Sequence, residues 1–333
     1  MKLGILGVGM IVRTLLETLD RLPIERAALL CTPRSLEEAR LMADRYGFGS
    51  VYTDYDQLLA SQVDTVYVAL PNHLHFSYAY KALRQGKNVI VEKPMAVNPR
   101  ELQCLAAEAA RGNQMLVEAM SVYDLPAFAA LQKALPRIGK PQTMILNYSQ
   151  FSSRYERFQR GDIAPVFDVT KAGGALLDLN VYNVSTAIAL FGEPGNAWYT
   201  PRLDRGVDVS GVMGLDYDEF QVLCIGAKDR SPAFPSSLHG RRGSILLHSP
   251  INLLESFELR DETGAWETVN APMKEHRLYY EFAEFVRRFA AQDTRWAEER
   301  LRVTAAVTRW MTAARTRAGL VFPNDREDEA RQE

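Results

Sequence analysis

The chain has only 3 cysteines and 5 histidines in 333 residues. Cys31, Cys104 and Cys224 lie far apart, and no CxxC or Cys/His cluster exists. Structural zinc is thereby disfavoured, and no metal site is expected. A sparse, odd set suits a reducing cytoplasm, with the thiols expected as small buried apolar groups. Neither sign of charge dominates: 39 Lys and Arg stand against 41 Asp and Glu, a net charge of −2. That balance disfavours nucleic acid as a partner and a disordered chain alike. Long apolar runs are also missing. No stretch approaches the roughly 18 apolar residues that span a bilayer. The apolar start, MKLGILGVGMIV, is interrupted by glycines and ended by Arg13, with no small-residue cleavage site close behind. The expectation is a cytoplasmic protein without a membrane partner.

What is present is ample apolar material, 47% of the chain, in a length that suits two domains. Residues 1–120 alternate two periodicities. Leu3–Leu6 reads as a strand, Gly7-Val8-Gly9 as a turn, and Ile11, Leu15, Leu19 and Leu22 as a helical stripe. A strand over Ala27–Thr32 precedes Ser35-Leu-Glu-Glu38, a capping box opening the next helix. Strands at Thr65–Leu70, Asn88–Val91 and Met115–Ala119 bracket helices that begin near His75 and at Asn98-Pro99. This rhythm predicts an α/β fold with a doubly wound parallel sheet. In residues 121–322 the rhythm changes. A strand over Thr143–Phe151 and a helix over Gly174–Phe191 precede strands that follow one another without helices, then two amphipathic helices. That order predicts an α+β domain with an open, mainly antiparallel sheet. Residues 323–333 read as a charged, solvated tail.

Gly7-Val-Gly9-Met-Ile-Val12 nearly matches G-x-G-x-x-G/A, placed between a strand and a helix. Gly7 would make the tight turn and Gly9 would let the backbone approach a pyrophosphate; an ordinary glycine turn is the alternative. An NAD site usually places an acid about 20 residues further on, against the ribose 2′-OH. Between Glu25 and Glu37 there is none. Thr32, Arg34 and Ser35 stand there instead, a set suited to a 2′-phosphate, so NADP is favoured over NAD. A solvated Arg beside a helix start is the plainer reading. Pro71-Asn72-His73-Leu74-His75 and Glu92-Lys93-Pro94 follow predicted strands at the ends where such sheets bind ligands. Lys93 could polarise a carbonyl or tune an acid/base, or merely cover apolar surface with its stem.

With Ala43-x-x-Tyr46-Gly47, Asp64-x-Val66 and Gly86-Lys87-x-Val89 in register beside these motifs, the chain resembles the Gfo/Idh/MocA family of oxidoreductases over nearly its full length. The resemblance implies a Rossmann domain followed by an open-sheet domain whose outer face mediates homodimers or homotetramers. It implies hydride transfer between NAD(P) and a sugar, polyol or related cyclic alcohol or ketone. Cofactor contacts then fall at Gly7, Gly9, Met10, Ile11, Thr32, Arg34, Leu70, Asn72, His75, Glu92 and Lys93. Lys93 corresponds to the family's catalytic lysine. Where many members carry D-x-G-x-H, this chain has Asp178-Leu-Asn180-Val-Tyr182. A Tyr in that place resembles the branch with dihydrodiol dehydrogenase. Asp178 and Tyr182, four apart on a helix, could share one face, and a nearby ammonium would favour the Tyr182 phenolate; core packing is the other reading of Tyr182. Gln150, Arg154, Tyr155 and Asn183 are candidates for a polyhydroxylated substrate, or in part solvent-facing groups. A non-catalytic cofactor-binding sensor of the same fold, or an enzyme of trans-dihydrodiol type, remains the rival reading.

Overall fold

The computed structural model describes residues 1–232 and 234–326. It divides into two compact units, Met1–Met120 with Leu278–Arg302, and Ser121–Arg277 with the chain from Val303 onward.

In the first unit the order is β1 (Lys2–Leu6), α1 (Met10–Leu16), β2 (Glu25–Leu30), α2 (Leu36–Tyr46), β3 (Ser50–Tyr52), α3 (Tyr55–Leu59), β4 (Thr65–Val68), α4 (His75–Arg84), β5 (Asn88–Glu92), α5 (Pro99–Gly112) and β6 (Leu116–Ala119). The strands pair in parallel in the order β3-β2-β1-β4-β5-β6. Side chains alternate across such a sheet, so both faces must be covered and the strands read as continuous apolar runs. Val66, Val68, Val89 and Val91 join one cluster with Ala79, Leu83, Leu102 and Leu105. Tyr67, Ile90 and Val117 join another with Val12, Leu15, Phe282 and Phe285. Residues 278–302, expected in the second domain, thus belong to the first unit, because Leu278, Phe282, Phe285 and Phe289 cover its sheet. The Asn98 cap forms, its side chain accepting from the Glu101 amide, with Pro99 in the first turn. The Ser35 capping box does not. Pro33 starts a 3-10 turn that leaves Ser35 at ψ 10°, and its hydroxyl meets Thr32 Oγ1 at 3.1 Å instead of the helix. The short β3 and α3 offer too few residues for either period to show.

The second unit contains α6 (Pro126–Ile138), β7 (Pro141–Ser149), α7 (Tyr155–Gln159), a π-wound turn (Leu176–Asn180), α8 (Val181–Phe191), β8 (Asn196–Asp204), β9 (Val207–Asp216), β10 (Gln221–Ala227), β11 (Ser236–Gly240), β12 (Gly243–Leu247), β13 (Ser256–Arg260) and β14 (Trp266–Asn270). The helices α9 (Arg277–Ala290), α10 (Thr294–Arg317) and α11 (Pro323–Arg326) close the described chain. The sheet order is β14-β13-β12-β11-β7-β10-β9-β8, antiparallel throughout except for the parallel pair β7/β10. The β8, β11 and β14 strands escape the sequence pattern; β8 and β14 are edges, where Pro201 and alternating exposed residues are tolerated. Val169–Phe191, contrary to expectation, is long and apolar enough to cross a bilayer; 78% of its apolar window is buried inside the fold, as a core helix requires. The thiols also divide: Cys31 and Cys224 are buried as expected, but Cys104 is exposed on α5.

The charged tail is anchored at its start. Arg315 is fully buried, and its guanidinium grips Asp325 through two bonds of 2.6 and 2.8 Å. It also donates to the Leu320 carbonyl at 3.1 Å and lies 4.3 Å from the Phe322 ring centroid. Residues 323–326 are therefore held, while 327–333 lie outside the described residues. Removing one partner of a buried pair strands the other charge. Asp325→Ala is expected to lower stability by about 3–5 kcal/mol in urea unfolding. Glu298→Ala, which breaks an exposed pair with Arg302, should cost less than about 1 kcal/mol in the same measurement.

Candidate functional site

Past the C-terminal ends of the parallel strands the first unit gathers its loops. Gly7, directly after β1, has φ +106°, and a Cβ there would stand 2.7 Å from the Ala69 carbonyl oxygen. Glycine is required. Gly9 begins α1 with no side-chain cap, no acid in the first turn, and no atom within 4 Å of where a Cβ would be. The turn is thus an open cradle of backbone amides, which fits a dinucleotide phosphate. Met10 is exposed and Ile11 half-buried beside it, whereas Val12 is buried under the turn.

At the end of β2, Thr32 and Arg34 are exposed. Arg34 lines a groove of about 510 Å³ with Arg13, Glu17, Glu37, Glu38 and Arg45. Arg13, which sequence reasoning missed, pairs with Glu38 across the space between α1 and α2. Its signal was available: it lies four residues after Gly9, one helical turn from the cradle.

Leu70 and Asn72 are half-buried in the loop after β4. His75, expected at the cofactor, is 1% exposed. Its Nε2 lies 2.7 Å from the Leu70 carbonyl and its Nδ1 2.8 Å from the Pro94 carbonyl. Burial holds the imidazole below its ordinary pKa despite the pull of the two carbonyls. The ring lies between the β4 loop and the segment carrying Lys93, and as a neutral imidazole it donates to one of the two carbonyls.

That segment is braced by carboxylates. Glu92, itself buried, accepts from the Tyr67 hydroxyl and from the Lys93 amide. Glu118 accepts from the Met95 amide at 2.8 Å, and Glu101 from the Val97 amide at 3.0 Å. Met95, Ala96 and Val97 are buried, and the Lys93–Pro94 peptide is cis. Lys93 itself is half-buried. The backbone just after Lys93 is therefore held at Met95 and Val97 by carboxylates from β6 and α5.

The second unit builds its cluster at the entry to α8. The turn Leu176–Asn180 is π-wound, with the Val181 amide bonded back to the Leu176 carbonyl. Such turns recur at functional sites because they re-aim side chains. Asp208, buried on β9, accepts from the Leu176 amide and from the Tyr199 hydroxyl, both at 2.7 Å. Burial raises its carboxyl to about 6, against those bonds and the Lys228 charge. Gly174, at φ +131°, leaves room for it, since a Cβ would overlap Asp208 Oδ1. Asp178 lies in the π turn and receives a bond from Lys228 Nζ at 2.5 Å. Tyr182 is buried, its ring centroid 5.6 Å from that of Tyr148 at 55°.

The substrate candidates scatter. Gln150 is exposed and Arg154 half-buried around the exit of β7. Tyr155 is core, packed among Phe158, Phe167, Val207 and Val209. Asn183 is buried too, its amide nitrogen donating to Asn180 Oδ1 at 2.8 Å and to the Ile225 carbonyl at 3.0 Å. Asn180 spans to the Cys224 carbonyl at 2.9 Å and packs where a Cβ on Gly226 would stand. Their amide nitrogens tie the π turn and α8 to β10, while Asn183 Oδ1 is buried without a hydrogen-bond partner.

Residues 1–120 match the model of an oxidoreductase family with an NAD-binding Rossmann fold. The chain is 31% identical over 294 residues to scyllo-inositol 2-dehydrogenase (NADP(+)) IolU of Bacillus subtilis, covering 88% of this chain and 89% of that one. It is 29% identical to the mouse trans-1,2-dihydrobenzene-1,2-diol dehydrogenase over 65% of each chain. The crystal structure of KijD10, a 3-ketoreductase from Actinomadura kijaniata solved with TDP-benzene and NADP, shares the fold. Its TM-score is 0.80 at 21% identity, covering 95% of this chain and 97% of that one. The glycine turn, the Lys93 segment and the two-sheet architecture thus sit in a chain that belongs to the Gfo/Idh/MocA family of oxidoreductases.

Proposed function

We propose that this protein transfers a hydride between NADP(H) and a secondary alcohol or ketone of a sugar, polyol or cyclic diol. The observation that carries the reading is that one edge of the first sheet collects the open Gly9 cradle, the exposed Arg34 and the braced Lys93. Ligands of doubly wound sheets bind past the C-terminal strand ends. The Gly7 and Gly9 turn fits a pyrophosphate, and Arg34 with the Thr32 hydroxyl suits a 2′-phosphate. The NADP in the names of two similar proteins supports the same preference. Leu70, Asn72 and Glu92 contribute the backbone and side chains of the neighbouring loops. When bound, the nicotinamide supplies or accepts the hydride.

The protein's own part is the proton. Tyr182 exchanges the proton of the substrate hydroxyl, a task for which a phenol near pKa ~10 is by itself a weak base at neutral pH, and Lys93 is the second group assigned to the proton. Asp178 orients the reacting groups as a carboxylate. Gln150 and Arg154 remain the candidates for substrate hydroxyls, because their side chains reach solvent.

The second sheet also fits a homo-oligomer. Trp198, Leu223, Ile145 and Leu246 fall in one cross-strand row, with Gly214 and Ser237 between them. All four apolar members remain partly exposed while their sequence neighbours Cys224, Met144 and Leu247 are buried on the other side. A contiguous apolar face of this kind suits a second copy of the chain.

A panel of inositols, aldoses and cyclic diols read at the nicotinamide absorbance band tests the activity. Lys93→Met and Tyr182→Phe should each lower kcat at least about 100-fold while NADPH fluorescence still reports binding. Cofactor binding with no turnover on any panel member would favour a sensor. Arg34→Ala should raise the KM for NADPH about 10-fold or more and leave that for NADH nearly unchanged; equal effects on both would sink the 2′-phosphate assignment. Leu223→Arg should shift the mass seen by light scattering towards the monomer, and an unchanged mass would remove the sheet face as the interface.

A further inference from the structure

Lys228, the residue after β10, carries an ammonium with a problem: the side chain is buried, 1% exposed as a residue. An ammonium out of water is tolerated only when paired and hydrogen-bonded. Here it donates to Asp178 Oδ2 at 2.5 Å and to the Val166 carbonyl at 2.9 Å, and it lies 4.6 Å from the Phe167 ring centroid. The charged and titratable groups around it come from each element against it: Asp178 from the π turn, Asp208 from β9, and Tyr199 from β8 through its bond to Asp208. Asp178 is the odd member. Its side chain is 29% exposed, so the carboxylate that meets the buried ammonium is not itself fully withdrawn from water.

We propose that Lys228 is a positioning residue for the reaction: it pins Asp178 in one rotamer as an anion, so that the carboxylate orients the reacting groups and does not serve as the proton donor. This rests on the reading that Asp178 belongs to the site. The energetics favour a functional over a stabilising role for the pair. A buried ion pair contributes little net stability, and a well-packed apolar isostere is often as stable. Losing one partner is asymmetric here. Without Lys228, Asp178 remains partly hydrated, and Asp208 stays protonated more readily, because the Lys228 charge is one of the influences drawing its carboxyl down. Without Asp178, the ammonium keeps only the Val166 carbonyl as a hydrogen-bond partner, beside the Phe167 ring and the Asp208 charge.

The pair therefore makes opposite demands on stability and turnover. Lys228→Met should retain a melting temperature close to that of the parent protein yet lose kcat by about 10- to 100-fold, with the KM for NADPH within about 2-fold. Asp178→Asn should melt several degrees lower, and adding Lys228→Met to it should recover the loss. In kcat the double variant should be no worse than Asp178→Asn alone, because the two residues act as one unit. Lys228→Gln, which keeps a donor and drops the charge, serves the same comparison should the methionine variant fail to fold. Normal kcat in Lys228→Met or Lys228→Gln beside a crippled Asp178→Asn overturns the positioning role alone. Unchanged kcat in Asp178→Asn overturns both that role and the place of Asp178 in the site. Losses that multiply in the double variant, or an Asp178→Asn melting temperature equal to the parent's, also overturn the proposal.

Discussion

Six parallel strands present two apolar faces, and neither can be left to water. That requirement organises the first unit. Val66 and Val68 face α4 and α5 through Ala79, Leu83, Leu102 and Leu105. Tyr67 between them faces the other way, into the cluster of Val12, Leu15 and Phe282. Local helices are too few to cover this second face, so the chain supplies residues 278–302 from far along the sequence. With both faces closed, polar backbone and ligand-seeking side chains emerge only at the strand ends. Gly7, Thr32, Leu70 and Lys93 all follow strands at the same end for that reason.

A second constraint acts inside each unit. Charges and imidazoles withdrawn from water persist only where bonds compensate them. His75 sits between two carbonyls, and Glu92, Glu101 and Glu118 each accept a backbone amide of the Lys93 segment. In the second unit Asp208 gathers an amide and a phenol, and Lys228 gathers Asp178 and a carbonyl. Burial acts on these groups in opposite senses, holding the His75 imidazole down and pushing the Asp208 carboxyl up, because in each case it disfavours the charged form. The same rule explains the Arg315–Asp325 grip far from any candidate site. Buried charge here is structural in one place and sits beside the proposed chemistry in two others.

The placement of much of the candidate site at the strand ends was legible in the sequence where local spacing carries it. Gly7-x-Gly9, the acid-free stretch before Glu37 and Glu92-Lys93-Pro94 each lie within a few residues of a strand end, so periodicity alone locates them. Residue type without burial misled elsewhere. His75, Tyr155 and Asn183 are hydrogen-bonding residues near the right elements, but the fold turns them inward. Lys228 and Glu118 left no trace in the pattern. Lys228 is 50 residues from Asp178, and Glu118 is 23 from Met95. The pairing of β5 with β6 brings Glu118 to Met95, and the packing of the π turn near the end of β10 brings Asp178 to Lys228.

The sequence by itself determined the alternation of strand and helix through residue 119, apart from the short β3 and α3, together with the change of rhythm after it and the chemistry available at the strand ends, because each is written in the spacing of adjacent residues. Tertiary structure alone decided that residues 278–302 belong to the first unit, that His75 lies between two carbonyls, and that Asp178 answers to Lys228. Those outcomes follow from which apolar faces remain to be covered and which buried charges remain to be paired. Neither quantity exists until distant segments are brought together.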